Sequence, residues 1–327
     1  MRRRDVIRLG AGLLAGRLVC PSPVLAQNNY PSSPIRLVVP YPPGGVVDVV
    51  ARQWAEKMKR VGTVVVENLA GGGGTIGAGG VARGRADGYN LLFGETSCLI
   101  ISPALMKKPP YDPLKDFSPV SMIFTSSTSI VVHPSVPATN LAEFINYAKA
   151  NQEKISYASA GTGTVTHLAG ELFKQLIDAP RILHVPYRGA GPALIDVMAG
   201  VVPMTTPNIT SQILSFHRAG KVRILAVCAP NRLKAAPEIP AANEVLPGMV
   251  MQLTGGVVAP AATPAPIVTQ LADMTSQIAK EAEFQSALEA SGLEIRSDLT
   301  PAAAKTFLAQ EHDRLLPIMR SAGLEPQ

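Results

Sequence analysis

The stretch Ile35–Met58, IRLVVPYPPGGVVDVVARQWAEKM, decides the fold. It predicts an apolar strand over Ile35–Val39, a tight turn rich in proline and glycine over Pro40–Gly45, and then a helix. The predicted helix has an apolar face at helical spacing, which comprises Val47, Val50, Ala51, Trp54 and Met58. Such a unit gathers unpaired N–H groups and the positive end of the helix dipole at one point. It therefore predicts an anion-binding turn, although an ordinary tight turn would leave the same pattern.

The only charge near that turn is Asp48, one turn into the predicted helix. A carboxylate there complements the helix dipole, but it would repel an anionic ligand. Two interpretations remain open from the sequence. Asp48 either locks the loop by accepting hydrogen bonds from its backbone N–H groups, or selects ligands that carry an amine, a hydroxyl or a bridging water beside the carboxylate.

Composition indicates a globular protein. The 327 residues are 46% apolar and 17% charged, and the chain is long enough for two α/β domains with proper cores. No apolar run reaches the roughly 18 residues that a membrane helix requires. The formal net charge of +6 comes largely from five arginines and one aspartate in residues 1–26. The remainder has no basic stripe with interleaved aromatics, so we expect no nucleic-acid binding.

Residues 1–26 have the features of an export signal. Arginines are concentrated in Arg2–Arg8, a glycine-diluted apolar segment follows at Leu9–Gly16, and Val24-Leu25-Ala26 fits cleavage after Ala26. The run Arg3-Arg4-Asp5-Val6-Ile7-Arg8 resembles a twin-arginine signal, and an ordinary secretory signal is the open alternative. We therefore expect the mature chain in the periplasm.

The order of strands and helices predicts parallel-rich sheets in two domains. Strand, loop and helix repeat along the chain, and four turns from strand to helix are rich in Gly, Ser or Thr. Two pairs of such turns would face each other across a cleft, because ligands of open α/β sheets bind beyond the carboxyl ends of strands. We place the first crossing at the Ser/Thr-rich bend between Val120–Phe124 and Ser129–His133, and the return near Val257–Pro260. The predicted domains are residues 27–127 with 250–327, and residues 128–249.

The second half of the chain offers polar residues that each have a structural alternative. Ser159–Thr164 brings hydroxyl and N–H groups to a helix start, but it lacks the lysine of a phosphate-binding loop. His167, early in the following helix, suits packing better than catalysis. Tyr187 suits either packing on a cleft wall or ligand contact. Arg188 could pair with a second carboxylate or point to water.

A glycine-rich run supports a rival function. Gly72-x-Gly74-x-x-Gly77 follows a predicted strand and precedes a helix, and Glu95 lies where a ribose-binding acid would be. This pattern would give an exported NAD(P)-dependent oxidoreductase. However, the run belongs to the second strand–helix unit, and a glycine-saturated segment matches the fingerprint easily by chance. No catalytic constellation emerges from the sequence, so we expect no enzyme.

The cysteines indicate neither a metal site nor a disulfide framework. Only Cys98 and Cys228 would remain after cleavage, and each lies in an apolar, strand-like run. We therefore expect two buried thiols, and the absence of a Cys or His cluster gives no reason to expect a metal.

Four ordered and correctly spaced blocks, spread over essentially the whole mature chain, carry a family resemblance. They comprise Pro40-Tyr41-Pro42-Pro43-Gly44-Gly45 with Asp48 and Ala51-Arg52; Glu67-Asn68, Gly71–Gly77 and Ala86-Asp87-Gly88-Tyr89; Tyr157–Gly163 with His167-Leu168-Ala169; and Val185-Pro186-Tyr187-Arg188-Gly189 with Pro192-Ala193-Leu194. Together they resemble the Bug-type substrate-binding proteins of tripartite tricarboxylate transporters. The chain departs from the family at Val201-Val202-Pro203, where the family usually has a polar residue, Val and Asp.

The resemblance implies a type II periplasmic-binding-protein (Venus-flytrap) fold, whose two α/β domains close over a small ligand about a two-crossing hinge. It implies a monomeric receptor that captures an organic carboxylate and delivers it to the permease subunits of a tripartite membrane transporter. A sensor that presents its ligand to a signalling partner shares the fold and stays an alternative. We expect no cofactor and no metal. The predicted ligand-binding residues are Tyr41, Pro43, Gly44, Gly45, Val46, Asp48, Gly73, Gly74, Ser159, Gly161, Thr162, Gly163, Thr164, His167, Tyr187, Gly189 and Asn208.

Overall fold

The polypeptide forms two mixed sheets with helices packed around them. The structure is a computed structural model that describes residues 30–296 and 298–326, so the export signal predicted for residues 1–26 lies outside the described residues. The strands are β1 (Ile35–Val39), β2 (Val64–Asn68), β3 (Asn90–Glu95), β4 (Phe117–Ser127), β5 (Ser129–Val132), β6 (Ser156–Ser159), β7 (Leu183–Pro186), β8 (Met204–Thr205), β9 (Arg223–Val227), β10 (Gln252–Pro260) and β11 (Leu293–Ile295). The helices are α1 (Val46–Met58), α2 (Thr75–Ala82), α3 (Ser102–Ala104), α4 (Leu141–Ala150), α5 (Val165–Leu176), α6 (Ala190–Met198), α7 (Ser211–Arg218), α8 (Ala265–Ala279), α9 (Ala282–Ala290) and α10 (Pro301–Ser321).

The first sheet has six strands in the order β11-β4-β10-β3-β1-β2. β1 pairs in parallel with β2 and β3, whereas β10 pairs antiparallel with β3 and β4, and β11 antiparallel with β4. The opening strand Ile35–Val39 has the predicted bounds, and it lies inside the sheet with α1 and α2 packed against it. Parallel pairing places the loops after β1, β2 and β3 at the same edge of this sheet.

The second sheet has five strands in the order β7-β6-β8-β5-β9. β6 pairs in parallel with β7 and β8, and β5 antiparallel with β8 and β9. The chain enters this sheet through Thr128 and leaves it through Met251. The Thr128 N–H donates to Met251 O at 3.0 Å, and the Met251 N–H donates to Cys228 O at 3.0 Å. The two passages between the sheets therefore lie side by side.

The first crossing lies in the predicted segment, at Thr128, but its predicted bend and the predicted position of the return were wrong. The Ser/Thr-rich segment is not a bend, because β4 continues to Ser127 and β5 begins at Ser129. The return is complete before β10, so Val257–Pro260 is the second half of a strand that began at Gln252. A run of serine and threonine is typical of a turn, but here these residues are buried and hydrogen-bonded. The Thr128 Oγ1 donates to Met251 O at 2.8 Å.

The apolar face predicted for the first helix is confirmed. Its five residues are all buried, and Trp54 Nε1–H donates to Thr275 Oγ1 of α8 at 3.1 Å. This packing holds α1 against the first sheet, so the start of the helix has a fixed position beyond the end of β1. The predicted cap of α4 is also confirmed, since Asn140 Oδ1 accepts from the Glu143 N–H at 2.9 Å.

Cys98 and Cys228 are buried free thiols, as predicted. Burial raises the pKa of both thiols, that of Cys228 to about 12, which keeps them protonated at neutral pH. Among the described residues, no helix combines the length and the apolar character needed to cross a bilayer. The same part of the chain contains no group of three or more His, Cys, Asp or Glu side chains placed to hold a metal ion.

Candidate functional site

The turn after β1 presents the start of α1 to solvent. Gly45 is the N-cap residue, with φ −74° and ψ 165°, and no side chain caps the helix there. The first N–H groups of a helix have no intrahelical acceptor. Because Gly44 and Gly45 are exposed, the N–H groups that begin this 13-residue helix can reach a bound anion.

Asp48 holds this turn from below. Its carboxylate is buried and accepts from the Gly44 N–H at 2.9 Å, from Asn68 Nδ2 at 2.8 Å and from Arg52 Nε at 3.0 Å. Burial acts to raise the pKa of Asp48, but the hydrogen bonds from Arg52, Gly44 and Asn68 hold it below its ordinary value. Asn68 also donates to Tyr41 O at 3.0 Å. These contacts fit the interpretation that Asp48 locks the loop. The adjacent Arg52 guanidinium offsets the negative charge of the Asp48 carboxylate.

The glycine-rich run after β2 packs closely against the first turn and the second sheet. The Tyr41 hydroxyl lies 3.3 Å from Gly73 O, and a Cβ on Gly74 would stand 2.7 Å from the same hydroxyl. A Cβ on Gly73 would stand 3.2 Å from Thr162 O, across from the other sheet. Glycine is required here because backbone and side chains approach more closely than a Cβ permits.

Glu95 is poorly placed to bind a ribose. It is completely buried, and its carboxylate accepts from the Ser97 N–H at 2.6 Å, from the Cys98 N–H at 3.3 Å and from the Tyr41 hydroxyl. Burial raises its pKa. Both oxygens are therefore used within the protein, which weighs against the dinucleotide interpretation of the preceding glycines.

The loop Ser159–Thr164, between β6 and α5, uses most of its own N–H groups internally. The Ala160 N–H donates to Thr166 Oγ1 at 2.9 Å, the Gly161 N–H to Ser159 Oγ at 3.1 Å, and the Gly163 N–H to His167 Nδ1 at 3.3 Å. Among the described residues, the N–H of exposed Thr162 has no such acceptor. This loop is therefore held by hydrogen bonds to its own side chains and to those of α5, and Thr162 lies on its outer, exposed side.

Two serines that the sequence interpretation missed join the two sheets. Ser102 Oγ lies 2.9 Å from Gly73 O and 2.7 Å from Gly163 O, so its single proton serves both carbonyls. Ser97 Oγ accepts from the Val165 N–H, at the start of α5, at 3.0 Å. Both serines follow β3, so hydroxyls just beyond a parallel strand were the available signal.

The remaining predicted residues lie around these loops. The Tyr187 N–H donates to Ser159 O at 3.1 Å, and its hydroxyl donates to Asp196 Oδ2 at 2.6 Å, which raises the Tyr187 pKa to about 12. Gly189 is the N-cap residue of α6, with φ +133° and open space around it. Asn208 lies instead at the passage between the sheets, where its Nδ2 donates to Ser126 O at 3.4 Å.

Two cavities of the described structure lie away from these loops. One, of about 460 Å³, is lined by residues such as Pro110, Tyr111 and His312. The other, of about 420 Å³, is lined by residues such as Lys234, Lys280 and Arg296. None of the predicted ligand-binding residues is among those that line either cavity.

The fold has two mixed sheets covered by helices, two adjacent passages between them, and polar loops at the strand ends. This arrangement defines the periplasmic-binding-protein class. The chain belongs to the tripartite tricarboxylate transporter family of receptors (TctC), whose model matches residues 50–324. The chain is similar to the periplasmic binding protein BugD, with 32% identity, a TM-score of 0.84, and 91% of this chain and 100% of that chain covered. This family assignment agrees with the resemblance carried by the four sequence blocks.

Two further solved structures contain carboxylates. The chain is 30% identical to Rpa4515 of R. palustris with adipate, with a TM-score of 0.86 and coverage of 91% and 100% of the two chains. It is 29% identical to MatC (Rpa3494) of Rhodopseudomonas palustris with bound malate, with a TM-score of 0.82 and coverage of 88% and 99%.

Proposed function

We propose that this chain is an exported, monomeric periplasmic receptor that captures a small organic carboxylate and delivers it to the permease subunits of a tripartite membrane transporter. The observation that carries the proposal is the exposed, uncapped start of α1 at Gly45, held in place by the Gly44–Asp48 hydrogen bond. Family membership and the adipate and malate complexes of related proteins support the same class of ligand.

The proposed receptor has two domains, residues 27–127 with 250–327 and residues 128–249. In support, strands from the first set of residues form one sheet and strands from the second set form the other. The adjacent passages at Thr128 and Met251 are suited to a hinge, because few residues would need to change their backbone angles. We place the ligand between the α1 start and the Ser159–Thr164 loop.

Ligand contacts are proposed for the residues predicted from the sequence, with distinct roles. The N–H groups near Gly45 and Val46 would hold one carboxylate, helped by the helix dipole. The Thr162 N–H, on the outer side of the opposite loop, would contact the ligand from the other sheet. Asp48 would act through the loop that it locks, rather than by touching the anion.

A thermal-shift screen tests the ligand class. The panel contains adipate, malate, other mono- and dicarboxylates, amino acids, aromatic acids and NAD(P). We expect at least one carboxylate to raise the melting temperature, because a ligand that binds only the native state stabilises it. Stabilisation by NAD(P) with catalytic turnover, or no response to any anion, would overturn the proposal.

Delivery and location need a separate test in cells. We expect the full chain to fractionate with the periplasm, and its deletion to abolish uptake of the carboxylate found in the screen. Normal uptake in the deletion strain, with a lost transcriptional response to that carboxylate, would support the sensor alternative instead.

A further inference from the structure

Two histidines form a stacked pair beneath the Ser159–Thr164 loop. The ring centroids of His167 and His184 are 4.1 Å apart with 18° between the ring planes. Tyr157 also stacks on His184, at 4.9 Å and 24°. His167 is buried within α5 and His184 is partly buried in β7, so the pair links the helix after the loop with the neighbouring strand.

Each imidazole is hydrogen-bonded to the loop. His167 Nδ1 accepts from the Gly163 N–H, so this nitrogen must carry no proton. His184 Nε2 lies 2.7 Å from Ser159 Oγ, which itself accepts from the Gly161 N–H. The serine proton completes this chain if His184 Nε2 is also unprotonated. The Gly163 N–H thus depends directly on a neutral His167, whereas the Gly161 N–H depends on Ser159 Oγ, to which His184 is hydrogen-bonded.

Burial, together with the charge of Lys174, favours the neutral rings. Burial, followed by the charge of Lys174, lowers the pKa of His167 to about 4. Burial, then His167 and Lys174, lowers the pKa of His184 to about 4, against the opposing effect of Glu171. Glu171 is itself engaged, by Lys174 at 2.9 Å and by the Tyr157 hydroxyl at 2.6 Å. Two stacked imidazolium rings would also repel each other.

We propose that His167 and His184 are a positioning pair. Neutral His167 holds the Gly163 N–H inward, and His184, stacked on it and bonded to Ser159, keeps the ring in place, so that Thr162 stays turned outward. Protonation of His167 removes the acceptor of the Gly163 N–H and releases the loop. The pair acts on the ligand only through the loop. This inference rests on the proposed function for its effect on affinity, but its structural part concerns the unliganded protein.

Nuclear magnetic resonance of the unliganded protein tests the structural part. We expect the ring signals of both histidines to titrate with midpoints below pH 5, and the Gly163 amide signal to shift over the same range. At pH 7 the Gly163 N–H should exchange about tenfold faster in His167→Leu than in His167→Asn, because Asn Oδ1 can replace Nδ1 as acceptor. A midpoint near 6.5 for either ring, or equal exchange in the two variants, would overturn the proposal.

Calorimetry with malate and adipate as probes tests the functional part. At pH 7 we expect His167→Leu to weaken probe binding about tenfold, the loss of one modest hydrogen bond, and His167→Asn to restore most of it. Between pH 7 and 4, wild-type affinity should fall relative to the His167→Asn, His184→Gln double variant. This ratio cancels protonation of the probe itself. His133→Asn, which alters a histidine outside the pair, should follow the wild type.

The two tests separate the possible failures. If the resonance results hold and neither probe nor any other carboxylate binds, the proposed function fails while the positioning of the loop stands. If a probe binds and wild type and double variant keep a constant affinity ratio from pH 7 to 4, the positioning proposal fails and the receptor stands.

Discussion

The two loops proposed to hold the ligand differ in what fixes them. The loop before α1 is fixed by a charged group, since the Asp48 carboxylate accepts from the Gly44 N–H and pairs with Arg52. The loop before α5 is fixed by neutral groups, since its glycine N–H groups reach a serine hydroxyl and an imidazole. The first leaves several N–H groups of a helix start open, whereas the second leaves one outward N–H at Thr162.

This difference suggests a division of labour. An open helix start provides dipole and hydrogen bonds for an anion, so the α1 loop would supply most of the binding energy. Most N–H groups of the α5 loop are hydrogen-bonded within the loop and to α5, so they are not open to the ligand. This loop would therefore contribute the shape of the site and its closure over the ligand. Variants of each loop should therefore differ in size of effect and in the property that changes.

Gly45→Val should have the largest effect, on ligand affinity. The Cβ position at Gly45 is open, with the nearest atom, Pro42 O, at 4.0 Å, and its φ of −74° suits any residue. We expect unchanged stability, but about 100-fold weaker binding of the carboxylate found in the screen, because a branched side chain would displace an anion held by charge-assisted hydrogen bonds.

Calorimetry and thermal unfolding of Gly45→Val measure the two properties together. Gly80→Val is the matched control, since Gly80 is exposed on α2 with no atom within 4 Å of its Cβ position. Affinity equal to wild type in Gly45→Val would remove the α1 start from the site.

Asp48→Ala should mainly change stability. It removes the acceptor for the Gly44 N–H and Asn68 Nδ2 and the carboxylate that pairs with Arg52, so we expect the free energy of unfolding to fall by about 2 to 3 kcal/mol. Urea unfolding measures this. Asp48→Asn, which keeps one acceptor oxygen, separates the two interpretations of this residue. Loss of stability alone supports the lock, and a changed order of ligand preference would support ligand selection.

The acid response should differ between the loops. The pKa values of His167 and His184 are lowered from 6.5 to about 4, so the unfolded chain binds more protons in that window. Stability is therefore full above pH 6.5 and falls as the pH drops toward 4, by about 3 kcal/mol for each histidine. The lowered pKa of Asp48 acts in the same direction, but only below its ordinary value of 3.8.

Urea unfolding at several pH values tests whether the histidines cause the loss of stability between pH 6.5 and 4 and Asp48 contributes only below 3.8. The His167→Asn, His184→Gln double variant should lose the pH dependence between 6.5 and 4 and keep that below 3.8. A double variant as acid-sensitive as the wild type in the upper window would show that other groups cause the loss.

The α1 loop was largely predictable from sequence, and the α5 loop only in part. Strand β1, the apolar face of α1 and the glycine turn depend on neighbouring residues, so local patterns reveal them. The internal partners of the α5 loop are less local. His184 lies 25 residues from Ser159, and Ser97 lies 68 residues from Val165. A local sequence pattern cannot predict contacts between residues this far apart in the chain.

The backbone conformation of the first passage between the sheets, although not its position, was predicted wrongly for a related reason. Serine and threonine favour turns locally, but burial of Thr128 with a hydrogen bond to Met251, 123 residues away, makes an extended backbone acceptable. The short elements β11, α7 and α9 were also missed in the sequence, although α7 carries a local signal, the N-cap Thr210.

Ser102→Ala should have the smallest effect, and it tests whether the two loops act together. Ser102 Oγ joins Gly73 O to Gly163 O and is the only atom removed, so we expect a loss of about 1 kcal/mol or less. The property that changes is informative. If this contact forms only when the loops close on a ligand, affinity should fall about threefold with stability unchanged. If it persists without ligand, unfolding free energy should fall with affinity unchanged.

Ser215→Ala, on the exposed side of α7, is the control and should alter neither. A Ser102→Ala variant that matches this control in both measurements would show that the two loops act independently, as two separate anchors for the ligand.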